Sequence, residues 1–288
     1  ASSMKIKDLF GQKKVTISCE IFPPKKDTAF SGIFETVDAI QSLGVDFISV
    51  TYGAGGSTSK KTVEVASYIQ ERHHLPALAH LTCCDSTKED IRQRLAEMKE
   101  RGIENILALR GDKPKEYVPG PYTYAIDLIR DIKSQGDFCI GGACCPDGHV
   151  ECEHKEDDIA FLKEKVEAGC DFLTTQMFFD NNVYYNFLYR VLAVGIQVPV
   201  IPGIMPVINA RQVKRSAELS GTSLPPRFKA IADKFSDDPL AMEQAGIAYA
   251  TEQIIDLVAN GVKYIHLYTM NRPQTAAKIM ENLSHILR

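Results

Sequence analysis

Four tetrapeptides with one shared pattern decide the fold of this chain: Leu43-Gly44-Val45-Asp46, Arg101-Gly102-Ile103-Glu104, Ala168-Gly169-Cys170-Asp171 and Asn260-Gly261-Val262-Lys263. In each, an apolar and then a charged residue follow a glycine. Each also comes directly after a segment with helical periodicity. A glycine just past a helix adopts the left-handed conformation that satisfies the last helical carbonyl groups. Because the same turn recurs before several apolar runs, the sequence predicts an α/β repeat architecture.

Eight short apolar runs alternate with the helical segments, and we predict a strand at each of them. Most are apolar on both faces, which is typical of parallel strands that are covered on both sides. The predicted strands are Val15–Phe22, Phe47–Tyr52, Ala77–Thr82, Asn105–Leu109, Phe138–Cys144, Phe172–Phe178, Val198–Ile204 and Tyr264–Thr269.

Helical segments lie between these strands, and the clearest are Ile33–Leu43, Ser59–Arg72, Lys88–Arg101, Tyr124–Lys133 and Asp158–Ala168. Eight strands with intervening helices favour a closed (β/α)8 barrel, the TIM barrel of the α/β class, over an open sheet. The interval from Pro206 to Lys263 is long and contains two helical patterns, Ala210–Leu219 and Pro239–Ala259. We therefore predict an inserted helical segment between strands seven and eight, at the edge of the substrate site.

Length and composition fit one such barrel. The chain has 288 residues, of which 44% are hydrophobic, and its net charge is −4. We expect a single domain over residues 4–288, because Ala1-Ser2-Ser3 before Met4 has the character of a cloning remnant. The lack of a basic stripe argues against nucleic acid as a partner. The sequence has no apolar run of membrane-spanning length and no secretory signal, so we expect a cytoplasmic protein without membrane association. Homo-oligomer formation stays open.

The eight cysteines are interpreted mainly as reduced, buried thiols, because most of them lie in apolar runs and no export signal is present. An alternative is a site that five cysteines assemble in space. These five are Cys83, Cys84, Cys144, Cys145 and Cys152. None of them has the C-x-x-C spacing of a zinc or iron–sulfur site, so we predict no bound metal.

Polar residues gather where most of the predicted strands end. They include Glu20, Thr51, Tyr52, His80, Arg110, Asp112, Gln176, Tyr268, Asn271 and Arg272. The active site of a TIM barrel lies at the carboxyl ends of its strands. A polar group among core residues is also costly unless it has a partner or a role. Together these residues predict a ligand site at one end of the barrel.

Taken singly, each of these residues has a structural interpretation. Glu20 could pair with Arg110, Asp112 could cap the loop after strand four, and His80 could be a satisfied core histidine. The glycine-rich stretch after Tyr52 lacks the G-x-G-x-x-G spacing, so a Rossmann mode of cofactor binding is not indicated. The chain also has no Walker A loop, no H-E-x-x-H and no G-x-S-x-G motif.

Seven phrases in this sequence resemble one family, the methylenetetrahydrofolate reductases in their bacterial single-domain form. They occur in family order over nearly the whole chain and are specific as a set, whereas no single phrase would be. They are Glu20-Ile21-Phe22-Pro23-Pro24-Lys25, Ser49-Val50-Thr51-Tyr52-Gly53-Ala54, His80-Leu81-Thr82-Cys83, Ala108-Leu109-Arg110-Gly111-Asp112, Gln176-Met177-Phe178-Phe179-Asp180, Ile201-Pro202-Gly203-Ile204-Met205-Pro206 and His266-Leu267-Tyr268-Thr269-Met270-Asn271-Arg272.

The resemblance implies a barrel that binds FAD without a covalent bond. NADH or NADPH would reduce the flavin, which would in turn reduce 5,10-methylenetetrahydrofolate to 5-methyltetrahydrofolate in a ping-pong cycle. Opening of the methylene bridge needs a proton, and Glu20 is the general acid that the resemblance implies. Asp112 would anchor the pterin and modulate the flavin, so it joins Glu20 in the catalytic set. Gln176, Gln212 and Arg272 would contact the folate or the nicotinamide.

The positions that match FAD contacts form a larger set. They are Thr51, Tyr52, Ala54, His80, Leu109, Arg110, Gly111, Asp112, Tyr124, Ala125, His149, Asp158 and Lys165. Arg110 and Lys165 would suit the pyrophosphate, because a guanidinium or ammonium group complements its charge.

Four residues depart from the pattern of the family. Cys145 replaces an aromatic residue near the flavin, Phe161 and Glu164 replace an amide and an arginine, and Ser216 replaces a stacking phenylalanine. We therefore hypothesise that the chain binds FAD less tightly or takes electrons from a partner redox protein. One alternative function is a flavin-poor folate-binding subunit of a one-carbon redox or methyltransferase complex. Another is a metal- or cobalamin-linked methyltransferase barrel, which only the cysteine cluster supports.

Overall fold

A parallel sheet closed into a barrel forms the centre of the molecule. The computed structural model describes residues 4–12, 15–52, 58–146, 158–220 and 224–287. In these ranges the sheet has nine strands, all parallel, in the order β7-β6-β5-β4-β3-β2-β1-β9-β8. The strands are β1 Thr16–Ile21, β2 Phe47–Val50, β3 Ala77–Thr82, β4 Asn105–Leu109, β5 Cys139–Cys144, β6 Phe172–Thr175, β7 Val200–Ile201, β8 Gly203–Ile204 and β9 Tyr264–Tyr268. The predicted α/β barrel is confirmed.

The predicted seventh strand is divided, and this corrects its continuous range Val198–Ile204. Pro202 lies between β7 and β8 and has no N–H to donate to a neighbouring strand, so the ladder breaks there. β7 pairs with β6, while β8 pairs with β9. The N–H of Gly203 donates to the Thr175 hydroxyl at 2.8 Å, and the Pro202 carbonyl accepts from the His266 N–H at 3.0 Å. Both edges of the sheet therefore meet at Pro202, which closes the barrel.

Helices surround the sheet. They are α1 Asp27–Phe30, α2 Gly32–Gln41, α3 Thr58–His73, α4 Lys88–Glu100, α5 Ala125–Gln135, α6 Asp158–Ala168, α7 Asn181–Ala193, α8 Ala210–Ser220, α9 Pro226–Phe235, α10 Pro239–Ala259 and α11 Pro273–Asn282. The predicted insertion is confirmed, but it holds three helices rather than two. The additional helix is α9, which begins after Leu224-Pro225 with proline at its first position. Within the described ranges, none of these helices is long and apolar enough to cross a membrane.

The charged residue of the repeated turn has a structural task. Asp46 accepts a hydrogen bond from the Ile17 N–H at 2.8 Å, and its own N–H donates to the Ile17 carbonyl at 2.7 Å. Asp171 makes the same two contacts with Ile140, at 2.9 and 2.7 Å. In both turns the aspartate therefore pairs the start of one strand with the strand before it. The glycines of all four turns have positive φ, as the sequence predicts.

An apolar layer fills the barrel near the amino ends of the strands. Ile6, in a short 3-10 helix before β1, is fully buried there. The side chains around it are Phe47, Leu78, Leu107, Cys139, Phe172 and Ile201. Asn105 holds Ile6 in place, because its side-chain oxygen accepts from the Ile6 N–H at 2.8 Å. A residue ahead of the first strand thus lies at the centre of an apolar layer that we call the floor of the barrel.

The cysteines follow the prediction at most positions. Cys19, Cys83, Cys84, Cys139, Cys144 and Cys170 are buried free thiols, and burial raises the pKa of Cys19 to about 12. Cys145 is disulfide-bonded, so the expectation of reduced thiols is wrong at that position. Cys152 lies outside the described residues, and those residues contain no cluster of His, Cys, Asp or Glu suited to a metal ion.

The contact of α10 with the loop after β8 gives a test of the fold. A methyl group on Gly246 would lie 1.8 Å from the Val207 carbonyl oxygen. We expect Gly246→Ala to lower the free energy of unfolding by about 2 kcal/mol, since the overlap with rigid backbone exceeds the helical preference for alanine. Gly32→Ala is the matched control, because nothing lies within 4 Å of a methyl group there. Urea denaturation measures both variants, and equal stabilities would contradict the packing argument.

Candidate active site

A layer of polar side chains lies above the apolar floor, inside the barrel. Alternate residues of a strand point inward. On four neighbouring strands the inward residues above the floor are polar: Ser18 and Glu20 on β1, Ser49 on β2, His80 on β3 and His266 on β9. All except Glu20 are at least nine-tenths buried, and the Glu20 side chain is 21% exposed. The carboxylate therefore lies at the upper edge of a buried polar layer.

Two serine–histidine pairs flank the Glu20 carboxylate. Ser18 Oγ lies 2.7 Å from His266 Nδ1, and His266 Nε2 lies 3.4 Å from Glu20 Oε1. On the other side, Ser49 Oγ lies 2.6 Å from His80 Nε2, which is 3.5 Å from the same oxygen of Glu20. The alternative pairing of Glu20 with Arg110 is absent from the hydrogen bonds and ion pairs of the described residues. Glu20 contacts imidazoles instead.

The surroundings of Glu20 control its charge. Burial alone would raise the pKa of Glu20, but the hydrogen bond from His266 and the charges of His80 and His266 outweigh it, and the net shift is downward. Burial also lowers the pKa of His80 to about 4. An imidazole with that pKa carries no charge at neutral pH, so its charge does not act on Glu20 there. At neutral pH the hydrogen bond from His266 is therefore the contact that favours the carboxylate.

The ends of β1 and β9 are fastened to each other just beyond Glu20. The Thr269 hydroxyl donates to the Glu20 carbonyl at 2.6 Å. Asn271 then makes a reciprocal pair with the Phe22 backbone: its side-chain oxygen accepts from the N–H at 3.0 Å, and its amide donates to the carbonyl at 2.8 Å. Met270 and Asn271 both have left-handed backbone, with φ of 52° and 56°. This turn fixes the end of β1, where Glu20 lies, and the residue that follows the strand, Phe22.

The loop that carries Asp112 is held by the end of β3. The N–H groups of Cys83 and Cys84 both donate to the Arg110 carbonyl, at 3.2 and 2.8 Å. Gly111 has a φ of +84°, and a methyl group there would lie 2.8 Å from the Thr82 Cβ. Only glycine fits this turn without strain. Asp112 itself is exposed, so its carboxylate is accessible from solvent above the barrel.

The positions expected to bind substrate differ in their burial and in the hydrogen-bond partners that they have within the described residues. Gln176 is half-buried just beyond β6. Gln212 is 8% exposed, and its amide oxygen accepts from the Ile208 N–H at 2.8 Å, so this oxygen already has a structural partner. Arg272 is half-buried, and its Nε is a buried donor with no hydrogen-bond partner within the described ranges. The Ser216 hydroxyl on α8 is likewise buried and unpaired there.

The expected FAD positions lie along β2 to β4 and at the starts of α5 and α6. Thr51 and Tyr52 follow β2, while Leu109 ends β4 and Arg110 follows it. Tyr124 and Ala125 begin α5, and Asp158 is the first residue of α6. Lys165 is half-buried, with its Nζ 3.5 Å from the Ala143 carbonyl at the end of β5. Ala54 and His149 lie outside the described residues.

Two of the four departures from the family pattern lie on α6. The Phe161 ring contacts Tyr124, an expected FAD position, with 5.8 Å between ring centroids. Glu164 is exposed and precedes Lys165 on the same helix. A carboxylate therefore accompanies the cation that we expect near the pyrophosphate.

Comparisons with known proteins decide the family. A statistical model of the family described as methylenetetrahydrofolate reductase matches residues 5–284. This chain belongs to that family. The 5,10-methylenetetrahydrofolate reductase of Escherichia coli strain K12, an oxidoreductase by name, is 35% identical over 275 residues, which cover 94% of this chain and 92% of that protein.

Plant relatives are longer. Methylenetetrahydrofolate reductase (NADH) 1 of Arabidopsis thaliana is 36% identical over 298 residues, which cover 98% of this chain and 50% of that protein. The chain thus spans about half the length of such relatives. Among solved structures, a Clostridium thermocellum protein that binds two copies of 5-methyl-5,6,7,8-tetrahydrofolic acid has a TM-score of 0.65 at 13% identity, over 97% of this chain and 99% of that one. This likeness supports the barrel fold alone.

Sequence reasoning missed the residues that surround Glu20. Ser18 fell only within a predicted strand, and Ser49 and His266 appeared only within family phrases. Asn271 was among the polar residues at the strand ends, but without its contacts to Phe22. A signal was present: Ser18 and Glu20, like His266 and Tyr268, are two residues apart, so each pair shares one face of its strand. The pairing of β1 with β9, more than 240 residues apart, was the missing information.

The turn at Asn271 leads to a prediction that separates hydrogen bonding from backbone strain. Asn271→Gly keeps the left-handed conformation but loses both contacts with Phe22, and we expect it to lower the free energy of unfolding by about 1 kcal/mol. Asn271→Ala should cost about 1 kcal/mol more, because a Cβ disfavours positive φ outside Asn, Asp and Gly. Urea denaturation gives both values. A glycine variant as stable as the parent would show that the Phe22 contacts contribute nothing.

Proposed function

We propose that this chain reduces 5,10-methylenetetrahydrofolate to 5-methyltetrahydrofolate with FAD as its cofactor. The observation that carries the proposal is the Glu20 carboxyl group, partly buried between two imidazoles at the end of β1. It lies at the end of the barrel where such enzymes act. Family membership and the 94% coverage by the Escherichia coli reductase support the same reaction.

Glu20 is the proton donor in this proposal. Its carboxylate, which His266 favours in the open site, would take up a proton when a bound folate shields it from water, because burial raises its pKa. The methylene bridge must open to an iminium before hydride can reach its carbon, and opening requires a proton on the departing nitrogen. A carboxylic acid held within hydrogen-bond reach can deliver that proton. The contacts of Ser18, His266 and Thr269 hold the Glu20 carboxyl group and backbone in a fixed position, which reduces the entropic cost of proton transfer.

Other residues would bind the folate around this acid. Asp112 is exposed on a loop that Gly111 turns sharply, and we assign its carboxylate to the pterin. Gln176 would donate or accept a further hydrogen bond. Arg272 supports an anionic ligand, since a buried guanidinium N–H without a partner is costly unless the ligand supplies an acceptor. Gln212 would contribute through its amide nitrogen, because its oxygen is already bonded to Ile208.

The described residues of the FAD set fit the cofactor. Arg110 and Lys165 are half-buried cations at the ends of β4 and β5, and two cations suit the two phosphates of FAD. Thr51 and Tyr52, after β2, lie between Glu20 and these cations in the order of the sheet, and Leu109 directly precedes Arg110. When bound, FAD supplies the hydride that reduces the iminium carbon.

We assign a reduced nicotinamide cofactor as the electron donor, with NADH favoured because the plant relatives carry it in their names. The competing donor is a partner redox protein, which the replacement of a stacking residue by Ser216 suggests. Mixing the purified chain anaerobically with NADH, and separately with NADPH, distinguishes these donors. Bleaching of the flavin by NADH within the turnover time removes the need for a partner protein.

Glu20→Gln tests the assignment of the acid. The amide cannot deliver a proton, so transfer to the folate should fall by at least about 100-fold, while flavin reduction by NADH should stay near the parent rate. Glu35→Gln, at an exposed carboxylate on α2, is the matched control and should leave both half-reactions unchanged. Stopped-flow absorbance of the flavin follows each half-reaction. An equal loss in both would mean that Glu20 is structural.

Glu164→Arg tests the location of the pyrophosphate. Replacement of a negative by a positive charge beside Lys165 should lower the Kd for FAD by about threefold or more, since exposed ion pairs contribute up to roughly 1 kcal/mol. Glu167→Arg makes the same charge change one turn further along α6 and should have a smaller effect. Fluorescence titration with FAD measures both. Identical Kd values for the two variants would argue against the phosphate position.

A further inference from the structure

His266 is a buried titratable residue to which the proposed function gives no chemical role of its own. Its side chain is 3% exposed in the polar layer. The ring stacks near Phe47 at 6.4 Å between centroids and meets Tyr268 edge-on at 5.1 Å. Burial removes water from both ring nitrogens, so each needs a hydrogen-bond partner. Ser18 supplies one at Nδ1, and Glu20 supplies the other at Nε2.

These two partners determine which nitrogen carries the proton. An ionised carboxylate only accepts hydrogen bonds, so Nε2 carries the proton when Glu20 is charged. In the neutral imidazole Nδ1 is then an acceptor, and the Ser18 hydroxyl donates to it at 2.7 Å. Ser18 and His266 are direct partners in the parallel pairing of β1 with β9. The register of the barrel therefore sets the tautomer of His266.

The contacts on Glu20 are asymmetric. Both imidazoles approach Oε1, at 3.4 Å from His266 and 3.5 Å from His80. In the described part of the chain, neither ring bonds to Oε2. Tyr268 is a further titratable group facing Glu20, and burial raises its pKa well above the ordinary value, so it stays neutral. Oε2 is thus the oxygen that can carry the acidic proton toward a ligand.

We infer that His266, oriented by Ser18, is a positioning residue that stabilises the carboxylate left on Glu20 when its proton passes to the substrate. The O–H bond at Oε2 breaks, an N–H bond forms on the departing nitrogen of the folate, and the electron pair of the O–H bond stays on the carboxylate. A donor to Oε1 strengthens as this negative charge develops. The inference rests on the proposed function, since it takes Glu20 as the acid.

The electrostatics support His266 rather than His80 in this role. Burial works against ionisation of Glu20, and the hydrogen bond from His266 is the largest contribution that opposes burial and lowers its pKa. His80, with a pKa of about 4, is uncharged at neutral pH. It also contacts Ser49 through the same nitrogen, at the shorter distance of 2.6 Å. Loss of the His266 donor should therefore let burial dominate and raise the pKa of Glu20.

Carbon-13 NMR titration of the Glu20 carboxyl group tests whether His266 controls the pKa of Glu20, and it does not require the enzyme to turn over substrate. The purified chain is labelled at glutamate, and Glu20→Gln identifies the signal. His266→Leu removes the donor at similar volume and should raise the Glu20 midpoint by about one pH unit. His266→Gln keeps an N–H near the position of Nε2, so its Glu20 midpoint should lie close to that of the parent. His73→Leu is the matched control, since His73 pairs with the Asp38 carboxylate at 2.6 Å elsewhere in the chain, and it should leave Glu20 unchanged.

The pH profile of the folate half-reaction gives the second readout. Protonated Glu20 is the active form, so the rate falls as the pH rises through its pKa. His266→Leu should move this falling limb to higher pH, and Ser18→Ala should move it in the same direction by less. If the leucine variant does not fold, Ser18→Ala still decides the question by NMR. The inference is overturned if the Glu20 midpoint of Ser18→Ala, and of His266→Leu where it folds, is the same as that of the parent.

The two proposals fail in different ways. If the chain does not reduce methylenetetrahydrofolate at all, the proposed function fails, whereas the Glu20 titration still shows whether His266 controls that carboxyl group. If reduction is normal and the Glu20 midpoint does not move in the variants, only the role of His266 is lost.

Discussion

The parallel pairing of β1 with β9 is the interaction on which the rest of the structure depends. It joins the first and last strands of the chain, and with the divided strand around Pro202 it turns a sheet into a closed barrel. The same pairing places His266 beside Ser18 and Tyr268 beside Glu20. Closure of the fold and assembly of the polar layer are therefore one event. A chain in which β9 failed to pair would lose its acid site together with its barrel.

The polar layer is costly for the fold, and its hydrogen bonds show how the cost is offset. Ser18, Ser49, His80 and His266 are all buried, and each has at least one short contact within the layer. A fully satisfied network of this kind specifies one arrangement of side chains, whereas a partly satisfied one would be worse than an apolar core. In the described residues the unpaired buried side-chain atoms lie outside this layer, and two of them belong to Arg272 and Ser216, positions that we expected at the ligand site.

Much of the fold could be predicted from local patterns, because the glycine turn and the apolar runs are local signals. The division of strand seven was hidden in an apolar run, although Pro202 alone removes a ladder donor. The helix α9 lies between the two predicted helical patterns and was missed, although Pro226 suits the first position of a helix. In the site, the family phrases pointed to Glu20 and Asp112, while the partners of Glu20 depend on strand register between distant segments. No local pattern contains that register, so the contacts of Ser18, His266 and Asn271 required the structure.

The floor around Ile6 has a consequence for how the site communicates with water. Beneath the polar layer the barrel is sealed by apolar side chains, with Ile6 at their centre and Asn105 holding it there. Within the described residues the barrel is therefore closed at its amino end, and the partly exposed Glu20 side chain lies toward the opposite, open end. A planar ligand lying across that open end would separate Glu20 and the polar layer from bulk water. While the ligand stayed bound, these residues would keep the number of protons that they held when the ligand arrived.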